Sequence, residues 1–288
     1  MRLLITILFA VCFAMPAQAE VNPWDEAFKK QWYAGVAEIT RYELKQARYR
    51  DVHTGDAVLI FVTEDFLTDK QVKHERGDGP STSVLKLNFT RKFTTGIYPY
   101  SIMTSVFTPV APDQNHSLKV TTSVQEWCGH TFTQLNYRNK GYEATVRSYF
   151  QNEGDVNTTL PEAILEDEIW TRIRLAPERL PTGEVQMIPG TQFQRLSHML
   201  PKVQTATTEL VAQDTTQTYQ ITYTSIGRKL TITFEKDYPH TILGWEESYP
   251  RRGKWTTTTA QKTHSIMLDY WGKNSAEDVV YREQLGLE

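Results

Sequence analysis

Hydrophobic and polar residues alternate with a period of two along most of the chain. In the segment LKLNFTRKF, Leu85, Leu87 and Phe89 fall on one face, while Lys86 and Asn88 fall on the other. The same alternation recurs at 117–127, 142–150, 218–224, 228–237 and 262–271. This pattern is typical of antiparallel strands with one packed face and one solvated face. Several runs exceed the usual five or six residues. We therefore predict a mainly β fold, built as a long curved antiparallel meander or an incomplete β-barrel.

A helical pattern precedes the strands near the N-terminus. Asn22 can cap a helix whose first turn begins with Pro23, and Gly35 can end it. We expect a short N-terminal helix from Pro23 to Ala34.

A second helix is predicted in the middle of the chain, from about Pro161 to Leu175, where hydrophobic residues step by four. It is expected to cross between two β layers. Its acidic run, Glu166, Asp167 and Glu168, is expected on a solvated face. The segment 177–190, which holds three prolines and two glycines, is where a single β-rich domain of residues 20–288 would subdivide.

The first nineteen residues have the pattern of a secretory signal peptide. Arg2 is followed by an apolar run, and the segment ends in Ala17-Gln18-Ala19. The run is too short to span a bilayer, which takes about 20 residues. The bulky Val11 before Cys12 disfavours a lipoprotein. We therefore expect an exported protein, periplasmic or secreted, with residues 1–19 as its signal peptide and no transmembrane segment.

Charge and cysteine content narrow the function further. The chain has 31 Lys and Arg against 34 Asp and Glu, with no basic cluster beyond Arg251-Arg252. This distribution argues against a nucleic-acid partner. Cys12 leaves with the signal peptide, so Cys128 is alone and no intramolecular disulfide can form. A single thiol in an exported protein is usually buried, and we expect that of Cys128. No cofactor is expected.

The segment QEWCGH, residues 125–130, carries the most distinctive chemistry. The residues Trp-Cys-Gly-His resemble the start of a thiol–disulfide exchange site. Such a site needs a second cysteine and a helix N-terminus, and the sequence pattern predicts neither here. On one continuous strand, Glu126, Cys128 and His130 would share a face at spacings of about 6.6 Å. Three interpretations stay open. They are a metal site with these three ligands, a Cys128 nucleophile with His130 as base and Glu126 assisting, and a structural or ligand-lining polar cluster.

Five other polar residues lie near the ends of hydrophobic strands. Glu64 and Asp65 follow one such strand and Lys73 comes soon after, while Tyr98 and Tyr100 share a sheet face. A strand-end ion pair is the simplest role for the first three, and packing is the simplest role for the tyrosines. If the strand ends meet, all five could converge with the Cys-His segment on one mouth and bind a ligand.

Six segments resemble a family of uncharacterised exported bacterial proteins. They are VTEDF (62–66), VLKLN (84–88), FTTGIYPYS (93–101), QEWCGH (125–130), SYFQNEGD (148–155) and EDEIW (166–170). The family often carries the label "septum formation inhibitor Maf", which implies a cytoplasmic α/β nucleotide pyrophosphatase. The leader and the β pattern disagree with that label, so the resemblance brings no activity. Residues 219–248 are similar in rhythm to periplasmic half-barrel proteins such as lipoprotein carriers, which implies the fold alone.

These patterns favour an envelope β protein that binds or carries an amphipathic or hydrophobic ligand, such as a lipid, in a concave sheet rich in aromatic residues. Two alternatives remain. One is a hydrolase or transferase centred on Cys128 and His130, and the other is a structural protein that binds an envelope protein partner through a sheet edge.

Overall fold

A computed structural model describes residues 26–251 and 253–287. The predicted signal peptide and the first residues of the predicted N-terminal helix lie outside this part of the chain. Within it, all strands form one sheet of sixteen strands. The strands are β1 Ala37–Arg48, β2 Asp51–Leu67, β3 Val72–Lys73, β4 Ser81–Thr95, β5 Tyr98–Pro109, β6 Lys119–Glu126, β7 Gly129–Arg138, β8 Gly141–Ser148, β9 Val156–Pro161, β10 Ile164–Leu165, β11 Gly183–Ile188, β12 Gln204–Ala212, β13 Thr216–Tyr223, β14 Arg228–Glu235, β15 Ile242–Arg251 and β16 Lys254–Leu268.

The strand order makes the sheet an open, barrel-like curl. It runs β10-β11-β12-β13-β14-β15-β16-β1-β2-β4-β5-β6-β7-β8-β9, with β3 added to β2. Neighbours are antiparallel except for the short parallel pair of β10 and β11. The two ends of this order, β9 and β10, are separated in sequence by only Glu162 and Ala163. Two residues span less than about 11 Å, so the ends lie close together without pairing. The predicted incomplete barrel is confirmed.

In the described residues, four α-helices accompany the strands: α1 Glu26–Trp32, α2 Glu166–Leu175, α3 Thr191–Leu196 and α4 Val280–Gln284. Short 3-10 helices cover Pro177–Arg179, Thr224–Ile226, Tyr270–Gly272 and Ala276–Val279. No helix in the described part of the chain is both long enough and apolar enough to cross a bilayer.

The mid-chain helix is shorter than predicted and lies in a different place. Pro161 ends β9, where it pairs with Gly141 of β8, so the helix starts only at Glu166. The helix does not cross between two layers. It packs inside the single curved sheet, mainly against β4 and β5. Ile169 and Ile173 are fully buried there, as their spacing predicted.

The concave side of the sheet is occupied by the chain's own helices. Trp170 of α2 packs edge-on against Phe89 of β4 and Trp245 of β15, with ring centroids 5.1 and 5.2 Å apart. All six residues of α3 are buried beside it. Aromatic rings carry much of the stabilisation of such a core. The interior therefore serves first as packing.

Candidate functional site

The hairpin turns divide between two ends of the sheet. At one end lie the turns Tyr49–Arg50, Gly96–Ile97 and Trp127–Cys128, the β13–β14 turn at 224–227, the β15–β16 turn at Gly253, and the connection 149–155. We call this the aromatic end. At the opposite end lie the connections 68–71, 110–118 and 139–140. Successive antiparallel turns must alternate in this way.

The five predicted ligand residues do not share one mouth. Glu64 pairs with Val84 at the start of β4, whereas Tyr98 pairs with Thr95 at its end. Eleven residues of strand separate the two pairs, about 36 Å at 3.3 Å per residue. The prediction that all five residues line a single mouth is wrong. The two acids and Lys73 lie at one end of the sheet, and the two tyrosines lie at the other.

At the opposite end, Glu64 takes part in an ion pair. Its carboxylate accepts a short hydrogen bond from the Lys86 ammonium group, and the Lys73 nitrogen lies 4.0 Å away. Asp65 is exposed beside them. This is the strand-end ion pair that the sequence offers as the simplest role.

Glu126, Cys128 and His130 do not form the predicted row. Trp127 and Cys128 are the two turn residues of a hairpin in which Glu126 pairs with Gly129 and Gln125 with His130. Paired residues share a face, so Glu126 points inward, where it is buried, and His130 points outward and is exposed. The described residues hold no group of three or more His, Cys, Asp or Glu side chains placed to bind a metal ion. The metal-site and catalytic-triad interpretations both required Glu126, Cys128 and His130 to lie on one face of the sheet, and they do not.

Cys128 is exposed rather than buried. Its backbone N–H donates to Glu126 Oε2 at 2.8 Å. The contact with the Glu126 carboxylate also raises the pKa of the Cys128 thiol. A thiolate is the nucleophilic form, so this environment weakens the nucleophile instead of activating it. The buried thiol expected from composition is wrong because a turn position leaves the side chain in solvent.

An outward-facing groove adjoins this hairpin. Its main part, of about 640 Å³, lies across β5, β6, β7 and the end of β8. Its lining is Ser101, Met103, Ser123, Val124, Gln125, His130, Thr131, Phe132, Arg147, Ser148, Tyr149 and Asp155. A second part of about 420 Å³ shares Ser101, Gln125 and His130 with it and extends to Trp127. We call the two parts together the outer groove.

The outer groove combines apolar and polar surface. Met103, Phe132, Trp127 and Tyr149 are large hydrophobic side chains that remain exposed in it. The Tyr149 ring lies directly on Gly129, where a Cβ would stand 2.7 Å from the ring. A larger residue at 129 would push this wall of the groove outward. Apolar walls with a few polar groups are the usual form of a ligand site.

A tyrosine–arginine cluster borders the groove at the aromatic end. The Tyr49 hydroxyl lies 2.6 Å from that of Tyr98 and 2.8 Å from that of Tyr100. The Arg48 guanidinium donates to the Tyr100 hydroxyl at 3.3 Å. The Tyr98 ring also stacks beside the Trp127 ring, with the two centroids 6.3 Å apart. The two predicted tyrosines are thus brought together with the Cys-His hairpin, and Arg48 and Tyr49 are partners that sequence reasoning missed.

Arg195 of α3 connects the helix to this end of the sheet. Its guanidinium lies 3.4 Å from Glu126 and 3.7 Å from Glu153, and Glu153 also lies 2.6 Å from His198 Nδ1. Both carboxylates are buried and paired, so they add little net charge to the surface. No local pattern in the sequence signals the contact between Arg195 and Glu126, because the two residues are 69 positions apart.

A second ionic network lies deep inside the sheet and overturns the prediction for the acidic run of α2. Glu166 accepts hydrogen bonds from Arg228 Nη2 at 2.7 Å and from the Tyr223 hydroxyl at 2.8 Å. Arg228 Nε donates to Glu247 at 2.8 Å. Glu168 also lies inside, where it accepts the Ser117 N–H at 2.7 Å. The acidic run that was predicted to be solvated is therefore buried.

Asp167 is buried in α2 like Glu166 and Glu168, but its hydrogen-bond partners differ from theirs. Its carboxylate accepts the backbone N–H of Thr191 at 2.9 Å and the hydroxyl of Thr191 at 2.8 Å. No ion pair of Asp167 is found among the described residues. Burial raises the pKa of Asp167 to about 7. A Cβ at Gly190 would stand 2.6 Å from Glu166 Oε1, so glycine there lets α3 approach these acids closely.

A smaller cavity of about 100 Å³ lies at the opposite end, between α2 and the β5–β6 connection. Arg172 and Arg179 line it, and Arg172 is already paired with Glu168 at 3.0 Å. Its volume suits a few water molecules and not a lipid.

Comparison with known proteins supports the fold. No protein-family model matches the chain, and no curated protein matches it. The structure is similar to the crystal structure of a β-barrel-like protein, of the domain of unknown function DUF1849, from Brucella abortus. The TM-score is 0.51 at 9% identity, over 81% of this chain and 98% of that chain. The likeness shows a β-barrel-like fold. It gives no support to the septum-formation-inhibitor label or to membership of the exported family.

Proposed function

We propose that this protein is an exported binding module that takes up an amphipathic ligand in the outer groove. The observation that carries the proposal is the contrast between the two faces of the sheet. The concave side is occupied by α2 and α3, whereas Met103 and Phe132 leave apolar surface open on the convex side. Large exposed apolar patches usually mark interaction sites.

The groove chemistry suits a molecule with an apolar chain and a polar head. Met103 and Phe132 offer apolar contact, while His130 and Arg147 lie along the same lining. Arg147 uses part of its hydrogen-bonding capacity on the neighbouring strand β9, since it donates to the Val156 carbonyl at 3.2 Å. Export rests on the leader pattern of residues 1–19, and N-terminal sequencing of the protein from an envelope extract tests it.

A Cys128-dependent enzyme has less support. The partners that it would need are on different faces, and the raised thiol pKa disfavours the reactive form. A binding module requires neither catalytic partners on one face nor a reactive thiolate.

Titration with a fluorescent fatty acid tests the proposal. The double variant Met103→Ser/Phe132→Ser removes two apolar walls of the groove and should weaken binding about tenfold or more, since each buried methylene contributes about 0.8 kcal/mol. Met267→Ser is the matched control, because Met267 is similarly exposed but lies on β16, outside the groove. Failure of the wild type to bind the probe, or equal losses in the double variant and the control, would refute the proposal.

A further inference from the structure

Six hairpins that are consecutive in the sheet of the described residues present their tips at the aromatic end. They are β13–β14, β15–β16, β1–β2, β4–β5, β6–β7 and β8–β9. Strands lie about 4.8 Å apart, so neighbouring tips lie roughly 10 Å apart along the curl. Four of the six tips carry a large hydrophobic residue exposed by two thirds or more: Trp255 67%, Ile97 80%, Trp127 68% and Tyr149 71%.

Turn geometry does not account for these residues. Two-residue hairpin turns favour Asn, Asp and Gly. The two-residue turn Asn139–Lys140 at the opposite end follows that preference at Asn139 and has positive φ at both residues. At the aromatic end, Gly96 also follows this preference with a positive φ, but Ile97 and the turns Tyr49–Arg50 and Trp127–Cys128 do not. Residues that break a local rule without a local gain are expected at functional positions.

Contacts join the tips into one surface. The Arg251 guanidinium lies over the Tyr49 ring at 5.5 Å, and the Tyr49 hydroxyl contacts Tyr98. Tyr98 stacks beside Trp127. The patch therefore continues from the β15–β16 tip to the β6–β7 tip.

The charges at this end are opposite in sign to those of the whole chain. The chain has a formal net charge of −3. Arg50, Lys202, Arg251 and Lys254 lie in the described segments at the aromatic end, with Asp51 and Asp155 as the acids that are not buried. The buried Glu126 and Glu153 are paired with Arg195.

We propose that the aromatic end docks on the interface of an anionic lipid bilayer, with Ile97, Trp127 and Trp255 entering the headgroup region. Trp and Tyr favour this region because they combine an apolar ring with a polar group. Basic residues near the surface add attraction to anionic lipids. The inference deepens the proposed function, since a groove that opens beside a docked surface can exchange lipid with it.

Cosedimentation of the full chain with vesicles tests this inference. The wild type should bind phosphatidylglycerol–phosphatidylcholine vesicles much more strongly than phosphatidylcholine alone, and less strongly in high salt. Ile97→Ser/Trp255→Ser and Arg50→Glu/Lys254→Glu should each weaken binding about tenfold or more. Val72→Ser and Lys140→Glu, exposed residues at the opposite end, are the matched controls and should bind like the wild type.

The outcomes separate docking from ligand binding. The groove variant Met103→Ser/Phe132→Ser should retain vesicle binding, and Ile97→Ser/Trp255→Ser should retain binding of the fatty-acid probe. All changed residues are at least partly exposed, and thermal melts of each variant check the fold. The proposal is overturned if the wild type does not sediment with anionic vesicles, if the tip variants bind like the wild type, or if the opposite-end variants lose as much. Capture of a protein partner by the tips without vesicle binding also overturns it.

Discussion

Asp167 makes the stability of the interior depend on pH. Its pKa rises from 3.8 to about 7 in the folded protein because it is buried. One pKa unit corresponds to about 1.4 kcal/mol, so ionised Asp167 destabilises the fold by roughly 4 kcal/mol relative to the protonated form. Because the folded pKa is raised, this contribution to stability is fully present below pH 3.8 and is lost as pH rises through about 7.

Asp167→Asn removes this titration while an amide oxygen can still accept the hydrogen bonds from Thr191. Relative to the wild type, the variant should gain roughly 3 kcal/mol in unfolding free energy between about pH 5 and about pH 8, with the difference levelling off above the folded pKa. Urea denaturation at a series of pH values measures it. Glu38 and Glu247, whose pKa values are lowered by arginine partners against the effect of burial, titrate in both proteins and cancel in the difference.

Asp214→Asn is the control, because it removes an exposed carboxylate from the β12–β13 turn. It should change the stability little and without the same slope. Parallel stability curves for the wild type and Asp167→Asn across this range would show that Asp167 is not held in a buried site, and the packing proposed for α2 and α3 would then be wrong.

Three further changes test other parts of the structure. Arg228→Met removes the cation between the buried carboxylates of Glu166 and Glu247 and should cost about 3–5 kcal/mol in chemical denaturation; an unchanged stability would mean that the network does not form. Trp170→Ala removes the ring at the centre of the helix–sheet contact and should cost about 3–5 kcal/mol, whereas a negligible loss would contradict a filled interior. Cys128 should react with iodoacetamide in the folded protein, faster as pH rises because the thiolate reacts; protection until denaturation would contradict its exposed position.

The sequence carried enough information for the fold class because the β alternation is local. Leu85, Leu87 and Phe89 are buried as their spacing predicts, and Lys86 and Asn88 are less so. In a sheet with one packed face, every strand shows this alternation of hydrophobic and polar residues. Curvature followed from strand length, since several strands exceed ten residues.

The position of the mid-chain helix was harder to predict because its partners are distant in sequence. Glu166 and Arg228 lie 62 residues apart. Three consecutive acids at a helix start normally indicate a solvated first turn near the positive end of the helix dipole. Only the curled sheet brings Arg228 to this helix and makes burial of Glu166 favourable.

The error at QEWCGH has a simple geometric cause. The alternation of β6 runs into that of β7, and neither of the two turn residues is Gly, Asn or Asp, so Trp127 and Cys128 look like strand residues. A two-residue turn reverses the relation between residue number and face. Glu126 and His130 would share a face on one strand, but they lie on opposite faces of a hairpin.

Hydrogen–deuterium exchange with and without a bound fatty acid tests most directly whether the ligand lies outside the sheet. Exchange should slow in the 127–129 turn and in the 149–155 connection, which border the outer groove, and should stay unchanged in α2 and α3. Slower exchange confined to α2 and α3, with the groove segments unaffected, would place the ligand on the concave side and contradict the binding site proposed for this protein.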